Sequence, residues 1–193
     1  MLKVYNIFYS IQGEGPKAGR PAIFIRLAGC NYSCRWCDTK YALGLDYTEM
    51  SEETLLRKVE KYSSMYNCKY VVLTGGEPLI QNINKLVAEL WKNRFEVDVE
   101  TNGSIYKREI YGYINNLVVS PKPPSSGMKT DFNILSKVLR WKPLKETWLK
   151  VVVADEEDYQ YAKKVHLMFP KIPFIFQLES EKTVNMEKAQ WLV

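Results

Sequence analysis

Six short strand-like runs, separated by amphipathic stretches, constrain this chain more than any other feature. They are Ala22–Ala28, Tyr70–Leu73, Glu96–Glu100, Leu117–Val119, Trp148–Val153 and Phe174–Leu178. Short runs rich in β-branched and aromatic residues, bounded by Gly, Pro, Asn or Ser, read as strands. Between them apolar residues recur at helical spacing. Ser51 to Tyr62 reads as a helix: Ser51 caps it, Glu52 and Glu53 suit its first turn, and Leu55, Val59 and Tyr62 share a face. Ile83 to Trp91 is a second helix, with Leu86, Val87, Leu90 and Trp91 as its stripe. Phe132–Trp141 and Asp158–Phe169 complete the set. Strands alternating with helices predict parallel βαβ units, covered on both faces. At 193 residues, with no internal repeat or linker, one domain spanning 1–193 is expected. Six βα units are too few for a closed eight-stranded barrel of about 250 residues. The expected fold is therefore α/β, an open partial βα barrel of about six mostly parallel strands.

In such folds chemistry collects at the C-terminal ends of the strands. The unusual segments of this chain fall there. GCNYSCRWCDT follows the first of the six runs, TGGEP the second, ETNG the third, SPKPPSS the fourth, ADEED the fifth and QLES the sixth.

Three of the four cysteines, Cys30, Cys34 and Cys37, lie in the first of these loops. The opening MLKVYNIFYSIQGEG has neither an apolar signal core nor a small-residue cleavage site, and no window approaches 18 apolar residues. A cytoplasmic chain is expected, whose cysteines are ligands or catalysts more readily than disulfides. A structural zinc takes four protein ligands. The fourth cysteine, Cys68, stands before the second run, at the far end of the strands. A [4Fe–4S] cluster held by three thiolates keeps one iron open to a small molecule. Gly29 gives backbone freedom beside the first ligand, and Trp36 offers a flat shield from water. Two other readings stay open: three unrelated core cysteines, or a zinc site completed by Cys68, His166 or Asp38. His166 is the one histidine, and its helical setting makes it a packing or surface residue. The net charge of +5 is dispersed, and its densest spots, Lys163-Lys164 and Lys107-Arg108, are too short for a nucleic-acid arm.

The CxxxCxxC pattern of Cys30, Cys34 and Cys37, with an aromatic residue (Trp36) before the third cysteine and Gly75-Gly76-Glu77 one unit later, resembles the radical S-adenosylmethionine superfamily. With SIQGEG, FIRLAGCNYSCRWCDTKYA, ETNG and SPKPPS added, the chain from about Ile7 to Gln177 is similar to the 7-carboxy-7-deazaguanine synthase family. That resemblance implies a carbon–nitrogen lyase of queuosine and deazapurine biosynthesis. Such an enzyme converts 6-carboxy-5,6,7,8-tetrahydropterin to 7-carboxy-7-deazaguanine with loss of ammonia. Its 5′-deoxyadenosyl radical takes hydrogen from substrate C6, magnesium assists, and S-adenosylmethionine is regenerated. It has no catalytic side chain beyond cluster and cofactor.

Carried over position by position, the resemblance gives Cys30, Cys34 and Cys37 to the cluster and Thr39 to magnesium. It gives Trp36, Cys37, Asp38, Gly76, Ser120, Pro121 and Lys122 to S-adenosylmethionine. Gln177, Leu178, Glu179 and Ser180 would border that cofactor's adenosine. Ile11, Gln12, Gly13, Arg26 and Thr74 would hold the substrate. The residues themselves allow plainer roles. Arg26, a charge in an apolar strand, could pair with Asp98 or Glu100 in place of a substrate carboxylate. Thr39 could be a turn or cap residue, and SPKPPSS a stiff linker. An electron donor of the flavodoxin or ferredoxin type and a homodimer are implied partners; nucleic acid and membrane are not. Relatives close their pocket with residues beyond the last strand, and Lys182–Val193 carries no clear equivalent. Two competing functions are a glycyl-radical activase, whose protein substrate needs a long open groove, and a non-catalytic zinc or iron–sulfur module.

Overall fold

The structure, a computed structural model, describes residues 1–140 and 146–179. One mixed sheet organises it. The strands are β1 (Leu2–Ile11), β2 (Pro21–Leu27), β3 (Thr48–Met50), β4 (Tyr70–Gly75), β5 (Glu96–Thr101), β6 (Asn116–Val119), β7 (Glu146–Val153) and β8 (Phe174–Leu178). Their order is β3-β1-β2-β4-β5-β6-β7-β8. From β2 to β8 every neighbouring pair is parallel. These are the six expected strands. The sheet is nevertheless larger than expected, because β1 and β3 extend it antiparallel on the β2 side. Both additions escape a search for apolar runs. In β1 only Leu2 and Val4 are buried, while β3 is three residues long.

Helices α1 (Glu52–Tyr66), α2 (Asn84–Lys92), α3 (Phe132–Arg140) and α4 (Glu156–Met168) connect the parallel strands. The Ser51 hydroxyl accepts from the Thr54 amide at 3.1 Å, as its capping position predicts. Leu55, Val59 and Ser63 form the buried stripe of α1, and Tyr62 packs beside it with its hydroxyl on the Ile7 carbonyl. In α2, Leu86, Val87 and Leu90 are buried, but Trp91 is 54% exposed. It lies edge-on against Tyr113 and leaves the expected stripe. Helix α4 starts before Asp158, because Asp155 caps it by accepting from the Asp158 amide. The end of the third predicted helix, Trp141, lies outside the described residues.

Strand residues alternate between two environments. Ile23, Ile25, Leu73, Val97, Val99, Leu117, Val119 and Leu149 are fully buried in the main core. The alternate residues Phe24, Arg26, Thr74, Glu100, Val118, Lys150, Val152 and Gln177 all line one cavity of about 430 Å³. Strands from β1 to β8 can share a single cavity only if the sheet curls around it, which makes the fold an open, partial barrel.

Candidate functional site: a cavity beneath the cysteine loop

The wall opposite the cysteine loop is the hairpin between β1 and β2. Its backbone closes through Gln12 N to Arg20 O and Gly19 N to Gln12 O, each 2.8 Å. The buried Gln12 side chain donates to Glu100 Oε1 at 2.9 Å, and the Thr74 hydroxyl donates to Glu100 Oε2 at 2.7 Å. Among the described residues Glu100 thus receives two neutral donors and no lysine or arginine. On the other side, Glu14 pairs with Lys150 and accepts from Gln177 Nε2 at 2.9 Å. Burial alone would raise the Glu14 carboxyl, but the Lys150 ammonium and the hydrogen bonds from Lys150 and Gln177 hold it below its ordinary value.

Arg26 enters from β2. Its guanidinium faces the Phe8 and Tyr41 rings, and one terminal nitrogen donates to the Tyr41 hydroxyl. Its buried Nε has no hydrogen-bond partner. Among the described residues it pairs with no carboxylate. The two candidates for such a pair are otherwise engaged. Asp98 takes Lys17, Tyr70 and Asn116, and Glu100 takes Gln12 and Thr74. A cation without a counter-charge inside a cavity is costly unless an anion arrives.

The opposite wall is the cysteine loop, held by close backbone crossings. Gly29 adopts φ +85°, and Gly75 adopts φ +124°. A Cβ on Gly76 would stand 1.9 Å from the Gly29 carbonyl oxygen, so no side chain fits. Glu77 N donates to that same carbonyl at 2.8 Å. The Glu77 carboxylate, fully buried, accepts from Leu79 N, Thr101 Oγ1 and Asn102 N at 2.6–3.0 Å. It ties the end of β4 to the end of β5. A second anchor holds the loop's far side. Trp36 Nε1 donates to Ser125 Oγ at 2.7 Å, and that hydroxyl donates to the buried Asp158 at 2.5 Å. Arg35 N reaches Ser126 O at 3.0 Å. SPKPPSS is therefore a docking surface for the loop and not a spacer.

Cys30, Cys34 and Cys37 all line the cavity, and all are free thiols. Burial pushes the Cys30 and Cys34 thiols up, and neighbouring negative groups add to this. Three thiolates here require a compensating cationic centre. Among the described residues no three His, Cys, Asp or Glu converge on a single ion. A cubane does not ask for that, because each thiolate binds a different iron. Three free thiols on one loop fit a three-thiolate iron–sulfur cluster. Asn102 Nδ2 lies 4.0 Å from Cys30 Sγ. Cys68 sits at the strands' other end, directed at the Pro21 and Tyr70 carbonyls, and His166 packs edge-on against Phe174. Neither can complete a site with the loop.

The structure brings nearly every residue singled out from the sequence to this cavity. Ile11, Gln12, Gly13, Arg26, Trp36, Asp38, Thr39, Thr74, Gly76, Ser120, Lys122, Gln177, Leu178 and Glu179 line it with the three cysteines. Pro121 is buried outside its walls, and Ser180 lies outside the described residues. Lys122 Nζ donates to Ser120 Oγ at 3.1 Å and lies 5.7 Å from the Trp36 ring centroid; burial pushes its ammonium below the ordinary lysine value. Thr39 Oγ1 is 3.5 Å from Cys37 Sγ. Sequence reasoning passed over Glu14 and Lys150, and considered Glu100 only as a partner for Arg26, where it bonds Gln12 and Thr74 instead. Lys150 carries the same signal as Arg26, a cation inside an apolar strand.

A model of the Radical SAM superfamily matches residues 24–152. The 7-carboxy-7-deazaguanine synthase of Bacillus cereus is 36% identical over all of this chain and 87% of its own length. That of Bacillus subtilis is 34% identical over 93% of this chain and 77% of its own. The chain belongs to the 7-carboxy-7-deazaguanine synthase family of the radical SAM superfamily. Its fold agrees with that family: the crystal structure of QueE from Escherichia coli superposes with a TM-score of 0.78 at 25% identity, covering 99% of this chain and 87% of that one. Streptococcus suis SuiB bound to S-adenosylmethionine shares the fold at a TM-score of 0.60 and 17% identity, over 85% of this chain and 40% of that one. Membership brings with it a [4Fe–4S] cluster and S-adenosylmethionine as cofactors.

Proposed function

We propose that this enzyme converts 6-carboxy-5,6,7,8-tetrahydropterin to 7-carboxy-7-deazaguanine with loss of ammonia, in queuosine or deazapurine biosynthesis. The observation that carries this reading is the pairing, in one cavity, of the three-thiol loop with a guanidinium that makes no ion pair among the described residues. Arg26 binds the substrate carboxylate, which replaces the missing anion. Glu100, which pairs with no cation among the described residues, and Gln12 face the donors and acceptors of the aminopyrimidine edge. Ile11, Gly13 and Thr74 complete that wall, and the stacked Phe8 and Phe24 rings border the substrate's flat bicycle.

Cys30, Cys34 and Cys37 hold the cluster. Trp36, Asp38, Gly76, Ser120, Pro121 and Lys122 hold S-adenosylmethionine, with Gln177, Leu178, Glu179 and Ser180 beside its adenosine. Bound together, cluster and cofactor supply the radical chemistry that removes hydrogen from substrate C6. Thr39 offers its hydroxyl to a magnesium ion, which takes its other ligands from water and substrate. The enzyme acts as a cytoplasmic, single-domain homodimer fed by a flavodoxin- or ferredoxin-type donor. Among the described residues no helix is long and apolar enough to cross a membrane. A wall made by Gln12, Gly13 and Glu14 suits a small molecule better than a polypeptide.

The test is one anaerobic reaction of reconstituted protein with dithionite, S-adenosylmethionine, magnesium and 6-carboxytetrahydropterin. A product with the mass of 7-carboxy-7-deazaguanine is expected. If 5′-deoxyadenosine and methionine form without it, the substrate assignment is wrong.

A further inference from the structure

We infer that Lys17 is a positioning residue for the substrate: it pins the β1–β2 hairpin into the base of the barrel and so fixes Gln12 within the pocket. This deepens the functional reading above and rests on it. Strand β5 reads Glu96-Val97-Asp98-Val99-Glu100, and its alternation sets three carboxylates on one face. The uppermost, Glu100, belongs to the pocket. The lower two receive Lys17, whose ammonium lies 2.6 Å from Glu96 and 2.9 Å from Asp98. Tyr70 OH at 2.8 Å and Asn116 Nδ2 at 2.7 Å complete the shell of Asp98. Arg20, at the hairpin's other end, pairs with Glu96, and both cations lie 4.6 Å from the Tyr70 ring centroid. Two positive and two negative groups balance within the cluster.

Lys17 sits at the far side of a loop whose two ends meet at Gln12 and Arg20. Between them Gly15 (φ +73°) and Gly19 (φ +88°) take left-handed backbone angles that favour glycine. The same strand thus holds the loop twice, at Gln12 through Glu100 and at Lys17 through Asp98 and Glu96. Substrate must compete for the Gln12–Glu100 contact. The Lys17 pin keeps the loop seated while that contact is exchanged. Without it only a fraction of molecules present a formed pocket, and apparent affinity falls by that fraction.

The experiment uses cluster-reconstituted enzyme with saturating S-adenosylmethionine. For Lys17→Met, KM for 6-carboxytetrahydropterin is expected to rise about tenfold, with kcat within about twofold of wild type, and Lys17→Arg to recover most of the loss. Removing Lys17 leaves Asp98 buried without its cation, so Lys17→Met combined with Asp98→Asn is the companion variant. It relieves the unpaired charge without restoring the pin. Its melting temperature should recover relative to Lys17→Met while its KM stays raised. A KM that returns with stability, or a KM within twofold of wild type in both folded variants, overturns the inference alone. Wild-type protein that loads cluster and cofactor but never turns over this pterin overturns the functional reading, and the inference with it.

Discussion

At the scale of single residues, Arg26 and Cys68 show how an identical burial argument leads to opposite roles. Arg26 is a charge carried into a cavity where, among the described residues, it pairs with no carboxylate. Under the proposed function, its replacement by Gln removes a charge-assisted contact with the substrate carboxylate of about 3 kcal/mol, roughly a hundredfold in binding. The expected outcome for Arg26→Gln is a KM for the carboxylated pterin raised about a hundredfold, with cleavage of S-adenosylmethionine in the absence of substrate unchanged. Steady-state assays of both reactions check it. Cys68 is a small buried core group whose thiol is directed at the Pro21 and Tyr70 carbonyls at the strands' base. Cys68→Ala should leave the iron content per chain at the wild-type value; a loss of iron would mean that the cluster takes a ligand from outside the loop.

At the scale of elements, the cysteine loop is held less by its own sequence than by what docks on it. Asp158 in α4 accepts from Ser125 N at 3.0 Å, Ser125 Oγ at 2.5 Å and Ala154 N at 2.9 Å. Ser125 in turn receives the Trp36 indole. One carboxylate thus fastens the end of β7, the SPKPPSS segment and the cysteine loop together. Asp158→Asn keeps the shape but turns one acceptor into a donor facing donors, at a cost of about 1–3 kcal/mol. We expect a lowered melting temperature and faster iron loss to a chelator in Asp158→Asn, measured by the absorbance of the reconstituted cluster. Iron loss at the wild-type rate would show that the Trp36 anchor does not hold the loop.

At the scale of the whole molecule, the open side of the barrel makes stability depend on pH. Edge strand β8 is joined to the β1–β2 hairpin through Gln177 and Glu14, with Lys150 of β7 in the same cluster. The Glu14 carboxyl lies below its ordinary value despite burial, because Lys150 and Gln177 outweigh it. Glu96 is lowered in the same way, by hydrogen bonds from Arg20 and Lys17 against burial. A carboxyl depressed in the folded state stabilises the fold above its unfolded pKa and loses that contribution as pH falls through the folded value. Glu77 has the opposite sign, raised chiefly by burial, so its contribution fades as pH rises. The comparison that isolates the closure is Glu14→Gln against wild type. Urea midpoints should differ at neutral pH and converge below about pH 4, in the carboxylate range. Parallel curves across that range would remove Glu14 from the closure.

The sequence alone determined the six parallel strands, the Ser51 cap and the grouping of three thiols in one loop. Each is local: hydrophobic period, a hydroxyl ahead of a helix, and thiols at fixed spacing are complete within a few residues. It also located the rim, because βα order decides which strand ends face one way. The tertiary structure alone decided the rest. Strand β1 is half-buried and alternates weakly, so its place beside β2 follows from pairing and not from pattern. Arg26 had two open partners in sequence, and only the prior engagement of Asp98 and Glu100 by Lys17, Tyr70, Asn116, Gln12 and Thr74 leaves its guanidinium to the cavity. Those contacts join residues 18 to 88 positions apart, and the free energy of a buried charge depends on which groups the fold brings to it, a quantity that no local stretch of chain contains.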